Sequence, residues 1–148
     1  MTSATTPTFT VSSNETLYFI EPWQLFDDNW NSRATINIST GHTRYIQQDL
    51  KSANIIPTKI KVEKTFRRSN GTDGTLTIKV SDNGSTWTTF GSVSVQSAYD
   101  LSQTFHTMTN TTLTSPIRYI RAEYNNTGDE TQYEFNDIAI TEWYQKGN

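Results

Sequence analysis

Apolar and polar residues alternate over most of this chain. In 58–66, Ile60, Val62 and Phe66 share one parity, while Lys59, Lys61 and Glu63 take the other. In 75–81, Leu76, Ile78 and Val80 alternate with Thr75, Thr77 and Lys79 in the same way. Successive side chains of a strand point to opposite faces, so a period of two predicts strands with one buried face. Between the two segments, Ser69-Asn70-Gly71-Thr72-Asp73-Gly74 has the composition of a turn. Asp82-Asn83-Gly84-Ser85 reads as a second hairpin turn, its Asn-Gly pair suited to the positive φ of a tight reversal. The same pattern places further strands at 8–12, 16–20, 33–39, 44–48, 86–95, 103–108, 117–124 and 132–144. No window carries a helical stripe. Many short strands separated by turn signals predict a β-sandwich or jelly roll of two antiparallel sheets.

The last strand has a break in phase. Tyr133 and Phe135 share one parity; Ile138 and Ile140 share the other. A one-residue slip turns every later side chain to the opposite face. A bulge at Asn136-Asp137 restores the phase and puts Asp137 where its side chain can be aimed. The alternative is that both faces are part-buried there.

Composition narrows the picture. The 148 residues fit one domain over 1–148, with 1–10 as an N-terminal arm. Hydrophobic residues are only 33% of the chain, so the core must be thin, as between two facing sheets. Aromatics at 12% argue against disorder. A net charge of −3, with Arg67-Arg68 as an isolated basic pair, excludes a nucleic-acid phosphate surface. With no cysteine there are neither disulfides nor thiolate metal sites. No apolar run reaches membrane-spanning length, so membrane insertion is not expected. Met1–Pro7 lacks the basic start and apolar stretch of a signal peptide, which predicts a destination reached without a standard export signal. His42 and His106 are the only histidines, and neither sits in a nucleophile motif. There is no Gly-rich phosphate loop either, so an enzyme is not expected.

Several segments, in order, resemble the discoidin family, the galactose-binding-like sandwich also found as the C-type domains of coagulation factors. Phe26-Asp27-Asp28-Asn29-Trp30-Asn31-Ser32-Arg33 resembles the family's Phe-Asp-Gly-Asp-Pro-Ser-Thr-Arg. Phe26, Asp27 and Arg33 match outright, whereas Asp28 replaces the Gly, Trp30 the Pro and Ala34 the following Trp. Tyr45-Ile46-Gln47-Gln48-Asp49-Leu50 is similar to Trp-Ile-Gln-Ile-Asp-Leu. Ser81-Asp82-Asn83-Gly84-Ser85-Thr86-Trp87 is the nearest match, read as a tight turn followed by an aromatic that re-enters the core. Arg118-Tyr119-Ile120-Arg121 and Asp137-Ile138-Ala139-Ile140 resemble the late and closing strands. The resemblance spans residues 17–143 and implies a discoidin-like jelly-roll sandwich that binds rather than catalyses.

It also implies two sites. Many family members hold a structural Ca²⁺ between the early acidic loop and the closing acidic residue. Here Asp27, Asn29, Ser32 and Asp137 are the matching oxygen donors toward a cation that takes six to eight oxygens. The competing reading is that Asp27-Asp28-Asn29 only caps a turn. Glycan-binding members use loops at one end of the sandwich, including the loop after the strand ending near Phe66. On that reading Arg67, Arg68 and Asn70 face the sugar, with Trp30, His42 and Tyr99 as neighbours from other loops. Against it, Arg67-Arg68, taken alone, reads rather as a solvated hairpin end. Trp87 and Trp143 are expected to pack in or against the core. Asn14, Asn37, Asn70, Asn83, Asn110 and Asn125 each begin an Asn-x-Ser/Thr sequon, and several fall at predicted turns.

The function expected first is that of a non-enzymatic virion surface protein: a capsid decoration, turret or tail-associated module. Its partners would be other virion proteins, copies of itself and cell-surface glycans. The alternatives are a free or secreted extracellular carbohydrate-binding module, and a structural capsid protein without ligand.

Overall fold

The computed structural model describes residues 8–11, 17–18, 34–38, 41–50, 54–68, 72–97, 104–127 and 131–145. These form ten strands: β1 (Thr8–Val11), β2 (Leu17–Tyr18), β3 (Ala34–Ile38), β4 (Thr43–Asp49), β5 (Ile55–Arg68), β6 (Thr72–Ser81), β7 (Thr88–Ser97), β8 (Thr104–Thr109), β9 (Tyr119–Asn126) and β10 (Thr131–Gln145). One sheet has the order β1-β4-β9-β6-β7 and the other β2-β3-β10-β5-β8, five strands each. Every pairing is antiparallel. The described residues contain no helix, and the expected all-β sandwich is what the chain forms. Of the expected arm over 1–10, residues 8–10 lie in β1 and residues 1–7 lie outside the described residues.

The alternation read from the sequence sorts the two faces as expected. Leu76, Ile78 and Val80 of β6 are buried, as are Ile60 and Val62 of β5. From β9, Ile120, Ala122 and Tyr124 point inward, and Ile46 and Leu50 approach from β4 and its end. Each fully buried Ile, Leu or Val contributes about 1.5–3 kcal/mol relative to exposure, so this one cluster holds the sheets together. The phase break of β10 is a register shift between Phe135 and Asp137 against β5, and Ile138 beyond it is buried. The expected bulge is therefore present.

Two boundaries differ from expectation. β5 begins at Ile55, through Pro57, earlier than the pattern suggested. Pro57 lies opposite Trp143 of β10, next to a register shift of that ladder and short of the β8 pairing, which begins at Lys59. The β6–β7 connection runs over residues 82–87, longer than the expected tight reversal. Gly84 takes a φ of 78°, and Ser81 Oγ accepts the N–H groups of Asn83 and Gly84 at 3.2 and 2.9 Å. Asn83 Oδ1 then accepts those of Ser85 and Thr86, both at 2.8 Å. Side-chain oxygens therefore do the work that a two-residue turn would leave to the backbone.

The pairings define two ends. Thr43, Gly74 and Asn126 lie at one, with the end of β5 at Arg68 and of β7 at Ser97. Asp49, Ser81, Tyr119 and Ile55 lie at the other.

Candidate functional site

At the first end, the turn into β4 is closed by a reciprocal backbone pair. Gly41 N–H donates to the Asn126 carbonyl at 2.7 Å, and Asn126 N–H donates to the His42 carbonyl at 3.0 Å. Gly41 supplies the φ of 77° that this geometry needs. The pair holds His42 exposed at the tip of the sandwich. Its Nδ1 lies 3.4 Å from Arg44 Nη2, and Arg44 Nη1 donates to the Thr43 carbonyl at 2.8 Å. Asn125 Nδ2 donates to Thr43 Oγ1 at 2.7 Å, fixing the first residue of β4 to its neighbour β9. Under this rim Tyr124 is fully buried beneath Gly74. A Cβ at Gly74 would fall on the Asn125 carbonyl and within 2.5 Å of the Tyr124 ring, so only glycine lets β6 pass here.

Of the expected glycan-facing residues, the backbone brings three to this end. Arg67 and Arg68 are the last two residues of β5, with Arg68 opposite Gln132, and His42 precedes β4. Asn70, Trp30 and Tyr99 lie outside the described residues. For the expected metal set, Asp137 stands at the β10 bulge, opposite Glu63. Asp27, Asn29 and Ser32 lie outside the described residues. Among the described residues no three His, Asp or Glu side chains come together to hold a metal.

The outer face of the first sheet carries a feature that periodicity did not show. Arg121 projects from the centre of β9, and its guanidinium carbon lies 3.9 Å from the Tyr45 ring centroid and 3.9 Å from that of Trp87. Its Nη2 and Nε donate to Gln47 Oε1 at 2.7 and 3.0 Å. Glu123 Oε1 lies 3.4 Å from Nη1, and Lys79 joins Glu123 at 3.0 Å. Trp87 also meets Tyr119, the ring centroids 6.3 Å apart at 58°. Trp87 is therefore not the aromatic that re-enters the core. That residue is Phe90, three positions on, which the β6–β7 register shift turns inward. Trp87 instead clamps the 82–87 turn down on Arg121, and the cation takes up the ring face a sugar would use. Trp143 also departs from expectation, being 43% exposed near the end of β10.

At the second end, Asp49 is 8% exposed and accepts two bonds from Arg118, Nε to Oδ1 and Nη2 to Oδ2, both at 2.9 Å. The bond to Asp49 raises the Arg118 pKa above its ordinary value. Beside this pair an open cleft of about 350 Å³ separates the 82–87 turn from the 112–117 segment. Asn110 pins that segment. Its Oδ1 accepts from Thr112 N–H and Oγ1 at 2.8 Å each, and its Nδ2 donates to the Phe90 carbonyl at 3.1 Å. Sequence reasoning passed over this cleft, whose one local signal is the hydroxyl-dense run Asn110-Thr111-Thr112-Leu113-Thr114-Ser115.

The sequons differ in what their amides do. Asn37 lies within β3 opposite Gln132. The Nδ2 atoms of Asn110 and Asn125 are committed to protein acceptors, whereas Asn83 is exposed with its Oδ1 inside the turn. Asn14 and Asn70 lie outside the described residues.

No family model matches the chain, and no curated protein does. Solved structures do share the fold. One is the CBM32 of AlyQ in complex with 4,5-unsaturated mannuronic acid, at 19% identity over 90% of this chain and 92% of that one, with a TM-score of 0.54. Another is chitosan-binding module 1 from a chitosanase/glucanase of Paenibacillus sp. IK-5, at 20% identity over 95% and 96%, with a TM-score of 0.57. A third is a pectin-binding carbohydrate-binding module, at 16% identity over 91% and 93%, with a TM-score of 0.54. The chain therefore shares the two-sheet β-sandwich fold of these carbohydrate-binding modules.

Proposed function

We propose that this chain is a non-catalytic carbohydrate-binding module whose principal site lies at the His42 end of the sandwich. The observation that carries this reading is the fold shared with three modules whose names state a saccharide ligand, over at least 90% of this chain in each case. On this reading His42, Arg67 and Arg68 are the proposed donors for hydroxyl or carboxylate groups, since the strand register brings their backbones to that end. Asn70, Tyr99 and Trp30 complete the proposed set, and Asp27, Asn29, Ser32 and Asp137 remain the proposed ligands of a structural Ca²⁺. An extracellular setting fits this reading. A virion surface role draws no support from the comparisons, which favour the carbohydrate-binding alternative. A glycan array of neutral, amino and uronic saccharides tests the proposal: specific binding is expected, and silence across all three classes would remove it.

A further inference from the structure

The cleft at the opposite end is built differently. Its floor is apolar: Val80 and Ile117 are buried, and Leu113 and Pro116 are half-buried. Its rim carries the exposed hydroxyls of Thr86, Thr88, Thr114 and Ser115. Among the described residues that line it, Asp82 is the one charged side chain. The nearest guanidinium in sequence, that of Arg118, is held by Asp49. One wall is fixed by Ser81, which lines the cleft, and Asn83 within the turn, the other by Asn110. Its volume lies within the range of about 300–1,000 Å³ usual for small-ligand sites.

An apolar floor under a ring of hydroxyls, with one carboxylate acceptor, complements a molecule with C–H faces and several O–H groups. A lone carboxylate accepts hydrogen bonds from sugar hydroxyls and repels another carboxylate. We propose that this cleft is a second carbohydrate site, specific for neutral pyranose units and separate from the His42 end. It would let one chain hold two points of a glycan surface, with the gain in avidity that linked sites give. It does not rest on the first site being occupied.

The test is a titration of ¹⁵N-labelled chain followed by backbone amide shifts, with methyl galactoside, methyl glucoside and N-acetylglucosamine as neutral probes and galacturonic acid as the acidic one. A neutral probe is expected to shift Asp82, Thr86, Thr114 and Ser115 saturably, and galacturonic acid is not. Thr114→Trp, at an exposed position, is expected to abolish those shifts, and Arg68→Ala to leave them intact. Asp82→Asn is expected to weaken the neutral probe about tenfold, the usual worth of a hydrogen bond to a charged acceptor. Shifts confined to the His42 end, no shift in the cleft with any neutral probe, or equal binding of galacturonic acid there would each overturn the proposal.

Discussion

Arg121 lies over the Trp87 ring, the guanidinium carbon 3.9 Å from its centroid, and at the same distance from the centroid of Tyr45. This contact joins the 82–87 turn to β9 and β4 across the outside of the first sheet. Arg121→Met removes the cation from two rings and leaves Gln47 without its donor. It should lower stability by about 1–3 kcal/mol, from two cation–π contacts and a paired polar group. Arg121→Lys should recover only part, because an ammonium does not reproduce the planar fork that stacks and bonds at once. Urea unfolding followed by tryptophan fluorescence measures both.

Gly74→Ala should destabilise by about 2–3 kcal/mol, because the new Cβ meets a backbone carbonyl that has nowhere to move and the buried Tyr124 ring. Gly41→Ala should cost less: its Cβ meets nothing within 4 Å, and only the positive φ opposes it. Thermal unfolding of the two variants side by side should show this order.

Gln48 points into the core of β4 at 1% exposure, and its Nε2 has no hydrogen-bond partner. The discoidin-like strand that this segment resembles has an apolar residue at that position. Gln48→Ile should therefore stabilise by about 1 kcal/mol, by removing a buried unsatisfied donor. A lower urea midpoint for this variant would contradict the assignment of its orientation.

The Asp49–Arg118 pair has a definite pH signature. Its guanidinium pKa is raised in the folded chain, chiefly by the bond to Asp49. A raised pKa stabilises the fold fully below the unfolded value and is lost only as pH climbs through the folded one. Both lie far above neutrality, so the stability gap between the wild type and Asp49→Asn should be the same at about pH 7 and about pH 10. No gap at either pH, measured by urea midpoints, would mean that the pair does not persist in solution.

The strands were legible because the rule behind them is local. Leu76, Ile78 and Val80 alternate with polar residues over a sheet buried on one face, and the misphased Ile138 and Ile140 announced the β10 bulge. What stayed hidden depended on partners distant in sequence. The extra residues 55–57 of β5 had no local signal, because they pair with the far end of β10, at Trp143–Gln145. Trp87 looked like a core residue. A tryptophan stacked on an arginine from a strand more than thirty positions away has no periodic signal, and a bulge gave its core place to Phe90. The cleft likewise needs the Ser81–Trp87 turn and the Asn110–Ile117 segment brought together, which the β6–β9 pairing and the Asn110–Phe90 bond do. His42 and Arg68 were assigned to one end by resemblance, and the strand register places their backbones there.

The central claim is carbohydrate binding at the His42 end, and isothermal titration calorimetry of the intact chain against alginate, chitosan and pectin oligosaccharides tests it most directly. Saturable heat with at least one of them, weakened about tenfold or more by Arg68→Ala in a folded variant, is the predicted result, since a guanidinium bond to a sugar oxygen is worth that much. No heat with all three, or unchanged affinity in the Arg68→Ala chain, would contradict it.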